Sequence, residues 1–232
     1  MTILKAEWLI AWRNRRLLFF NTVIPVIFVA PVLLSGAPGI HVTAILVVLF
    51  AMFATFGSSI PLIRDHESGL LQRYVMTGIN PGLMLLERTL AFVTIDFLQL
   101  LPAQLLILVV TGGAIREAVI FLVTVALSLF AGNLIGNLVA SLARSIAEGA
   151  LFSSLLSLYM VHLAGVFRVP TPGSLLYFVE PWTPFRPLYL SIRTLVAGTE
   201  QNGGLDLTTS LVFTLALTVL TYLRGRSFLV SR

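Results

Sequence analysis

Residues 118–140 read AVIFLVTVALSLFAGNLIGNLVA, and this stretch decides the fold. Over its 23 residues it contains no lysine, arginine, aspartate or glutamate. A helix needs roughly 20 mostly apolar residues to cross the hydrocarbon core of a bilayer. The stretch therefore predicts a membrane-spanning helix with no charged residue in it.

Five other stretches are similar, so the sequence predicts six spans, near residues 17–34, 43–63, 89–110, 118–140, 149–167 and 207–223. The small residues Ser35-Gly36-Ala37 follow the first stretch, as they would in a cleaved signal peptide. Sixteen residues precede that stretch, however, and its apolar run is longer than a typical signal core. We interpret it as a retained span. The predicted fold class is an all-α polytopic membrane protein with a single domain, residues 1–232.

The composition of the whole chain agrees with this class. Hydrophobic residues make up 57% and charged residues 11%, and the mean hydropathy is +0.97. Soluble domains carry about 45–50% apolar and about 25% charged residues. The balance excludes a disordered chain, a nucleic-acid-binding domain and almost any soluble enzyme, and it predicts contact with membrane lipid.

The sequence carries no catalytic constellation and predicts no metal site. Its only lysine, Lys5, follows no glycine-rich loop, so we expect no P-loop and no ATP hydrolysis by this chain. It has no cysteine for thiolate ligands, disulfides or thiol catalysis. His41, His66 and His162 are predicted outside, inside and within a span, so they cannot share one site. The HExxH and GxSxG motifs are absent.

Basic residues predict the orientation. With the N-terminus inside, eleven of the fifteen lysines and arginines fall on the cytoplasmic side. The positive-inside rule therefore places both termini in the cytoplasm, in a protein of the cell (inner) membrane. The inner set is Lys5, Arg13, Arg15, Arg16, Arg64, Arg73, Arg88, Arg144, Arg224, Arg226 and Arg232, and the outer set is Arg116, Arg168, Arg186 and Arg193.

Residues 1–16 predict a helix that lies in the membrane interface. One face carries Leu4, Trp8, Ala11 and Trp12, and the neighbouring face is basic. Tryptophan favours the headgroup level, and cations favour anionic lipid. A plain helical lead-in to the first span is the alternative.

The inner loop, residues 64–80, reads RDHESGLLQRYVMTGIN and predicts a short cytosolic helix. Its apolar residues have helical spacing, and Gly78 is typical of a helix end. Asn80-Pro81 is typical of the start of the next helix. The apolar stripe needs a cover, which is either the inner ends of the chain's own spans or a docking partner.

The outer segment, residues 168–206, is interrupted by prolines at 170, 172, 181, 184 and 187. Two apolar, aromatic pieces lie between them, at 175–179 and 188–196, and neither is long enough to span. We interpret them as short amphipathic helices that dip into the outer leaflet, since non-helical backbone at that depth must be covered by protein or water. A plain extracellular loop is the alternative.

Polar residues within the spans predict contacts between helices. A carboxylate inside a span is costly, so Asp96 should be paired, hydrogen-bonded or protonated. We expect a polar cluster that joins the third and fourth spans, formed by Asp96, Gln99, Asn133 and Asn137. Its role is either structural or that of a hinge contact that breaks during transport.

Two further patterns lie in the fourth and fifth spans. The small residues Ser128, Gly132 and Gly136 form a stripe that lets another helix approach closely, as in intramolecular packing or a dimer contact. His162, beside Tyr159, is a candidate for contact with a substrate. An ordinary helix–helix contact is the alternative for this pair.

The order of these features resembles permease subunits of type-2 ATP-binding-cassette (ABC) exporters over essentially the whole chain. The features are the six spans behind an interfacial helix, the inner-loop pattern Arg64-Asp65-x-Glu67-x-Gly69-Leu70-Leu71 and the outer run EPWTPFRP at 180–187. Leu70 stands where the usual family pattern has threonine.

The resemblance implies a permease dimer, here a homodimer, that works with two separate ABC ATPase subunits. ATP and Mg would be held by the ATPase, and no cofactor by this chain. The outer segment, residues 168–206, would form a re-entrant helical hairpin that helps to close the external side. The inner-loop helix would couple ATPase closure to movement of the spans, through Glu67, Gly69, Leu70, Leu71, Arg73 and Tyr74. Because the spans carry few charges, we expect export of a lipophilic or amphipathic substrate, such as a drug, a lipid-linked molecule or a peptide.

Two other classes stay open from the sequence alone. An ion-coupled secondary transporter would need intramembrane ionisable relays and inverted repeats, yet only Asp96 lies clearly deep in a span and no repeat is visible. A non-transporting membrane sensor or assembly subunit is the other class. Co-purification with an ABC ATPase would distinguish the permease from both.

Overall fold

The computed structural model describes residues 3–167, 173–198 and 207–230, and every regular element within these ranges is helical. In chain order the elements are α1 (Ile3–Arg13), α2 (Arg15–Leu34), α3 (Gly39–Glu67), α4 (Leu70–Met76), α5 (Pro81–Thr111), α6 (Ile115–Leu142), α7 (Ile146–Leu163), α8 (Leu175–Val179), a 3₁₀ turn (Glu180–Trp182), α9 (Arg186–Ala197) and α10 (Thr208–Val230).

Five of the described helices are long and apolar enough to cross a membrane, namely α2, α3, α5, α6 and α7. Helix α10 occupies the position of the sixth predicted span but is not among them. Threonines and serines at 208, 209, 210, 214, 218 and 221, together with Arg224, lower its hydropathy. The all-α polytopic class is therefore confirmed, and the sixth span stays a prediction.

Local sequence explains where the helices around the inner loop begin and end. The Asn80 side-chain oxygen accepts hydrogen bonds from the backbone N–H groups of Gly82 (3.0 Å) and Leu83 (3.4 Å), and Pro81 takes the first position of α5. Gly69 separates α3 from α4 with a φ of 70°, a conformation that glycine adopts without steric cost. The inner loop is thus a short helix held between two long ones.

Helix α3 lies at the centre of the bundle and packs most extensively on α6. Gly132 and Gly136 make this approach possible, because an added Cβ would overlap Ala54 at the first position and Ser58 at the second. The Ser58 hydroxyl then donates to the backbone carbonyl of Asn133 at 2.7 Å. The two glycines of the predicted stripe therefore face α3 of the same chain.

The third member of that stripe contacts the outer segment instead. The Ser128 hydroxyl donates to the Pro184 carbonyl at 3.2 Å. Beyond it, α9 packs against α3 and α6 with Phe185, Leu188 and Ile192 fully buried. Both apolar pieces of the outer segment are therefore helical. Residues 168–172 and 199–206 lie outside the described part of the chain, and insertion into the outer leaflet stays a prediction.

The N-terminal helix α1 lies along α5. The Trp8 indole N–H donates to the Thr94 hydroxyl at 3.2 Å, while Trp12 stays 65% exposed. Helix α2 follows directly, capped by the Asn14 side chain, which accepts from the Leu17 N–H at 3.3 Å. These contacts fix α1 to the bundle, and its position in the membrane interface stays a prediction.

Substitution of Gly136 by valine should destabilise the bundle, because the new side chain would overlap α3. Overpacking of this kind costs about 1–3 kcal/mol. We expect a lower thermal unfolding midpoint for the purified protein in detergent. Val123→Leu on the exposed face of α6 is the control and should leave the midpoint unchanged. Equal midpoints for the two variants would contradict close α3–α6 packing.

Candidate functional site

Three helices meet at one buried arginine on the predicted inner side. Arg88, in the second turn of α5, is 2% exposed. Its Nη2 donates to Asp65 Oδ2 at 2.6 Å, and its Nε lies 2.8 Å from Glu7 Oε1. Because Asp65 belongs to α3 and Glu7 to α1, a single guanidinium group ties these helices to α5.

The surroundings of this ion-pair centre are only partly solvated. Burial raises the pKa of Glu7 above its usual value, and the Arg88 charge opposes that shift. The guanidinium carbon of Arg88 also lies 5.5 Å from the centre of the Phe92 ring, a cation–π distance. Two carboxylates and an aromatic face thus compensate the loss of water around Arg88.

The ion-pair centre was not predicted from the sequence, where Arg88 belonged to the inner set of basic residues and had no partner assigned. A signal was present, since Arg88 directly precedes the third predicted span, and a charge that is buried at such a position needs a partner. Its partners are 81 and 23 positions away along the chain, and no spacing rule connects them.

Helices α5 and α6 are joined by two separate polar contacts. Asp96 Oδ2 accepts from the Asn133 side-chain amide at 3.1 Å, and that amide also donates to the Leu129 carbonyl at 2.9 Å. The Asn137 amide donates to the Thr89 hydroxyl at 2.7 Å. The structure thus brings Asp96 and Asn133 together, but pairs Asn137 with a threonine that the sequence analysis did not select.

Gln99, the fourth member of the predicted cluster, lies apart from the two asparagines. Gln99 is 7% exposed, and its side-chain oxygen has no hydrogen-bond partner among the described residues. It lines a cavity instead. Whether the cluster is structural or a moving contact stays a prediction.

That cavity has a volume of about 410 Å³ and lies between α1, α2, α3 and α5. Sites for small molecules commonly measure about 300–1,000 Å³ and combine apolar walls with a few polar groups. Here the polar groups are acidic or neutral except for Arg64. The aromatic and polar lining residues are Phe53, Phe56, Phe92, Glu7, Asn14, Asn21, Asp96, Gln99 and Arg64.

A second cavity of about 170 Å³ adjoins the first on the side of α1. Trp8 and Trp12 line it, and Gln99 lines both cavities. The described residues bring no three histidine, aspartate or glutamate side chains together that could hold a metal ion.

Helix α4 covers the inner ends of the bundle with its apolar stripe. Leu71 is fully buried against Leu62, Met84 and Ala140, and Tyr74 packs beside them. Arg73 and Met76 are exposed on its opposite face, and Leu70 is half-buried. Of the residues that precede α4, Glu67 at the end of α3 is exposed and Gly69 is half-buried. The inner ends of the chain's own spans therefore cover the apolar stripe, and the exposed face stays available to a partner.

Tyr159 and His162 lie on the exposed surface of α7, and Tyr159 is 57% exposed. Neither residue lines the cavity beside Asp96 or the smaller one. A substrate contact for this pair stays a prediction.

A second ion pair, also not predicted from the sequence, lies on the predicted outer side. Glu180 pairs with Arg186, whose Nη1 also donates to the Ala164 carbonyl at 3.0 Å. Gly165 lies against this pair with a φ of 81°, and an added Cβ would overlap both side chains. The pair fastens the start of α9 to the outer end of α7.

Replacement of Arg88 by methionine should destabilise the chain strongly, because Glu7 and Asp65 would lose their shared partner. Removal of one member of a buried ion pair costs about 3–5 kcal/mol. We expect a large drop in the thermal unfolding midpoint, and recovery when Glu7→Gln and Asp65→Asn are added. Arg116→Met removes an exposed arginine and serves as control. A drop no larger than that of the control would refute the ion-pair centre.

Comparison with known proteins agrees with this architecture. No curated protein matches the chain. A family model described as ABC-2 family transporter protein matches residues 30–223, which include α3, α5, α6 and α7, the inner loop, and the residues Asp65, Arg88 and Asp96. The chain belongs to the ABC-2 transporter family and is an integral membrane permease domain.

Proposed function

We propose that this chain is the permease subunit of an ABC exporter, which moves a lipophilic or amphipathic substrate out of the cytoplasm with a separate ABC ATPase as its motor. The observation that carries the proposal is the position of α4. Leu71 anchors this helix to the inner ends of the bundle, while Met76 is 84% exposed. A helix held on one face and free on the other is suited to transmit an external push.

Two contacts supply a path for that push. Leu71 belongs to the same buried apolar cluster as Leu62 of α3 and Met84 of α5. The Asp65–Arg88 ion pair links the same two helices beside it. Displacement of α4 by an ATPase would therefore move α3 and α5 together. This movement would couple nucleotide-driven closure of the ATPase to movement of the spans.

The proposed complex contains two copies of this permease and two ATPase subunits, with ATP and Mg held by the ATPase. Membership of the ABC-2 transporter family supports an ABC ATPase as the motor. Two identical copies related by a two-fold axis are the commonest form of a symmetric assembly. The basic-residue distribution supports cytoplasmic termini in the cell (inner) membrane.

Met76→Asp should disrupt the proposed docking surface. We expect co-purification with an ABC ATPase encoded beside this chain, and substrate-stimulated ATP hydrolysis, to fall by about tenfold or more, as loss of a central interface contact typically does. Ile115→Asp is a matched control, because Ile115 is 85% exposed but lies at the predicted outer side. Unchanged association in Met76→Asp and Arg73→Glu would exclude docking on this face.

The orientation can be tested separately, because the native chain has no cysteine. Single variants Met76→Cys and Ile115→Cys place thiols at two highly exposed positions. In intact cells, a membrane-impermeant maleimide should label Ile115→Cys and leave Met76→Cys unlabelled until the membrane is opened. The reverse pattern would invert the proposed topology. The native mass of the ATPase-bound permease tests the homodimer, and a single permease copy would contradict it.

A further inference from the structure

We propose that the cavity beside Asp96 binds a lipophilic cation, meaning a molecule with a bulky apolar body, one positive charge and no anionic group. This inference rests on the proposed function, whose substrate class it narrows. It depends on three features of the cavity: an uncompensated carboxylate, an unpartnered carbonyl and an aromatic wall.

The carboxylate of Asp96 is the uncompensated charge of the cavity. Among the described residues, this carboxylate accepts one hydrogen bond, from the neutral side-chain amide of Asn133 at 3.1 Å, and none of these residues forms an ion pair with it. Glu7 also lines the cavity, but Arg88 already neutralises it. A buried carboxylate without a counter-ion attracts a cationic ligand, since the ligand's charge offsets the cost of its desolvation.

The basic residue of the cavity lining does not fill this role. Arg64 is 63% exposed at its side chain, and its Nε lies 3.5 Å from Asp65. Asp96 lies against Gly57 of α3, where an added Cβ would overlap the carboxylate. Gly57 thus leaves room for the acid group between two closely packed helices.

Gln99 points to a ligand independently of Asp96. It lies three residues further along α5 and therefore on the same face of the helix. Gln99 is 93% buried, and its side-chain oxygen has no hydrogen-bond partner in the described part of the chain. A buried carbonyl without a donor is costly, and rotation of the side chain toward the cavity would let its negative end stabilise a positive charge beside Asp96.

The walls fit the apolar body of such a ligand. Phe53 and Phe56 on α3 and Ile60 one turn further complete an apolar surface opposite Asp96. Aromatic faces attract cations as well as apolar groups. The volume of about 410 Å³ accommodates a compact, polycyclic or tetra-aryl molecule.

The neighbouring cavity supplies a route from the membrane. It shares Leu18, Ile95 and Gln99 with the main cavity and is lined by Trp8 and Trp12 of α1. Lipophilic cations concentrate in the leaflet interface, where tryptophan side chains also prefer to lie. A zwitterionic lipid headgroup fits less well, because its phosphate would meet the carboxylate of Asp96.

The experiment measures binding to the purified permease alone, without ATPase or nucleotide. Radiolabelled tetraphenylphosphonium and tetraphenylborate have nearly the same size and shape and opposite charges. Equilibrium dialysis against protein in detergent, corrected with empty micelles, should show saturable binding of the phosphonium and none of the borate. Asp96→Asn, which keeps the side-chain shape, should weaken phosphonium binding by about tenfold or more.

Matched variants separate charge from fold. Glu87→Gln removes a carboxylate from the same helix outside both cavities and should bind like the native chain. Ile60→Trp fills the cavity while leaving Asp96 in place and should abolish binding, which keeps the test valid if Asp96→Asn does not fold. Equal binding of the two ions, or full binding by Ile60→Trp, would overturn the inference.

The outcome is separable from that of the proposed function. If the ATPase associates through Met76 but the native permease binds no phosphonium, the cation site is wrong and the exporter proposal stands. If the phosphonium binds in an Asp96-dependent manner but no ATPase associates, the cation site stands and the proposed function is wrong.

Discussion

A guanidinium group buried between helices must be paired, and the arrangement of this chain follows from how Arg88 is paired. Its partners are Glu7 on α1 and Asp65 on α3, at 2.8 and 2.6 Å. Breaking either contact would leave a charge in a medium that solvates it poorly. The two ion pairs therefore hold α1 and the end of α3 against α5. Because these three helices form most of the wall of the 410 Å³ cavity, the ion-pair centre also maintains the cavity.

The two buried charged sites of α5 differ in how far their charge is satisfied. Around Arg88, two carboxylates lie within 2.8 Å of one cation. Asp96, eight residues further along the helix, has only the amide of Asn133 and a cavity beside it. In the first arrangement the opposite charges come from the chain itself, which suits a structural joint, whereas the second gains most from a positive charge supplied by a ligand. One helix thus carries a structural ion pair and the proposed ligand site.

The sequence predicted the features that local patterns determine. Runs of apolar residues located the spanning helices, and Asn80-Pro81 located the start of α5, since hydropathy and capping depend on neighbours along the chain. Pairing across helices was not accessible in the same way. In antiparallel packing of α5 on α6, Asn133 meets Asp96, but Asn137 lies one turn closer to the inner side and meets Thr89. The prediction treated these residues as one cluster because it had no register between the helices. The burial of Leu71 was equally undetermined, since periodicity defines an apolar face without saying what covers it.

The distance between the two sites of α5 connects the proposed motor to the proposed ligand. Arg88 and Asp96 are eight residues apart, which is about 12 Å along a helix. The proline inside this helix, Pro102, comes after both residues, so the segment between them keeps its regular backbone hydrogen bonds. A push on α4 would reach Arg88 through Leu71 and Asp65, and a straight helix would carry it to Asp96. There the movement acts on the hydrogen bond to Asn133, the contact that holds α5 to α6 at the level of the cavity. A cation bound to Asp96 would compete with Asn133 for the same carboxylate, so ligand and motor would act on one contact from opposite ends.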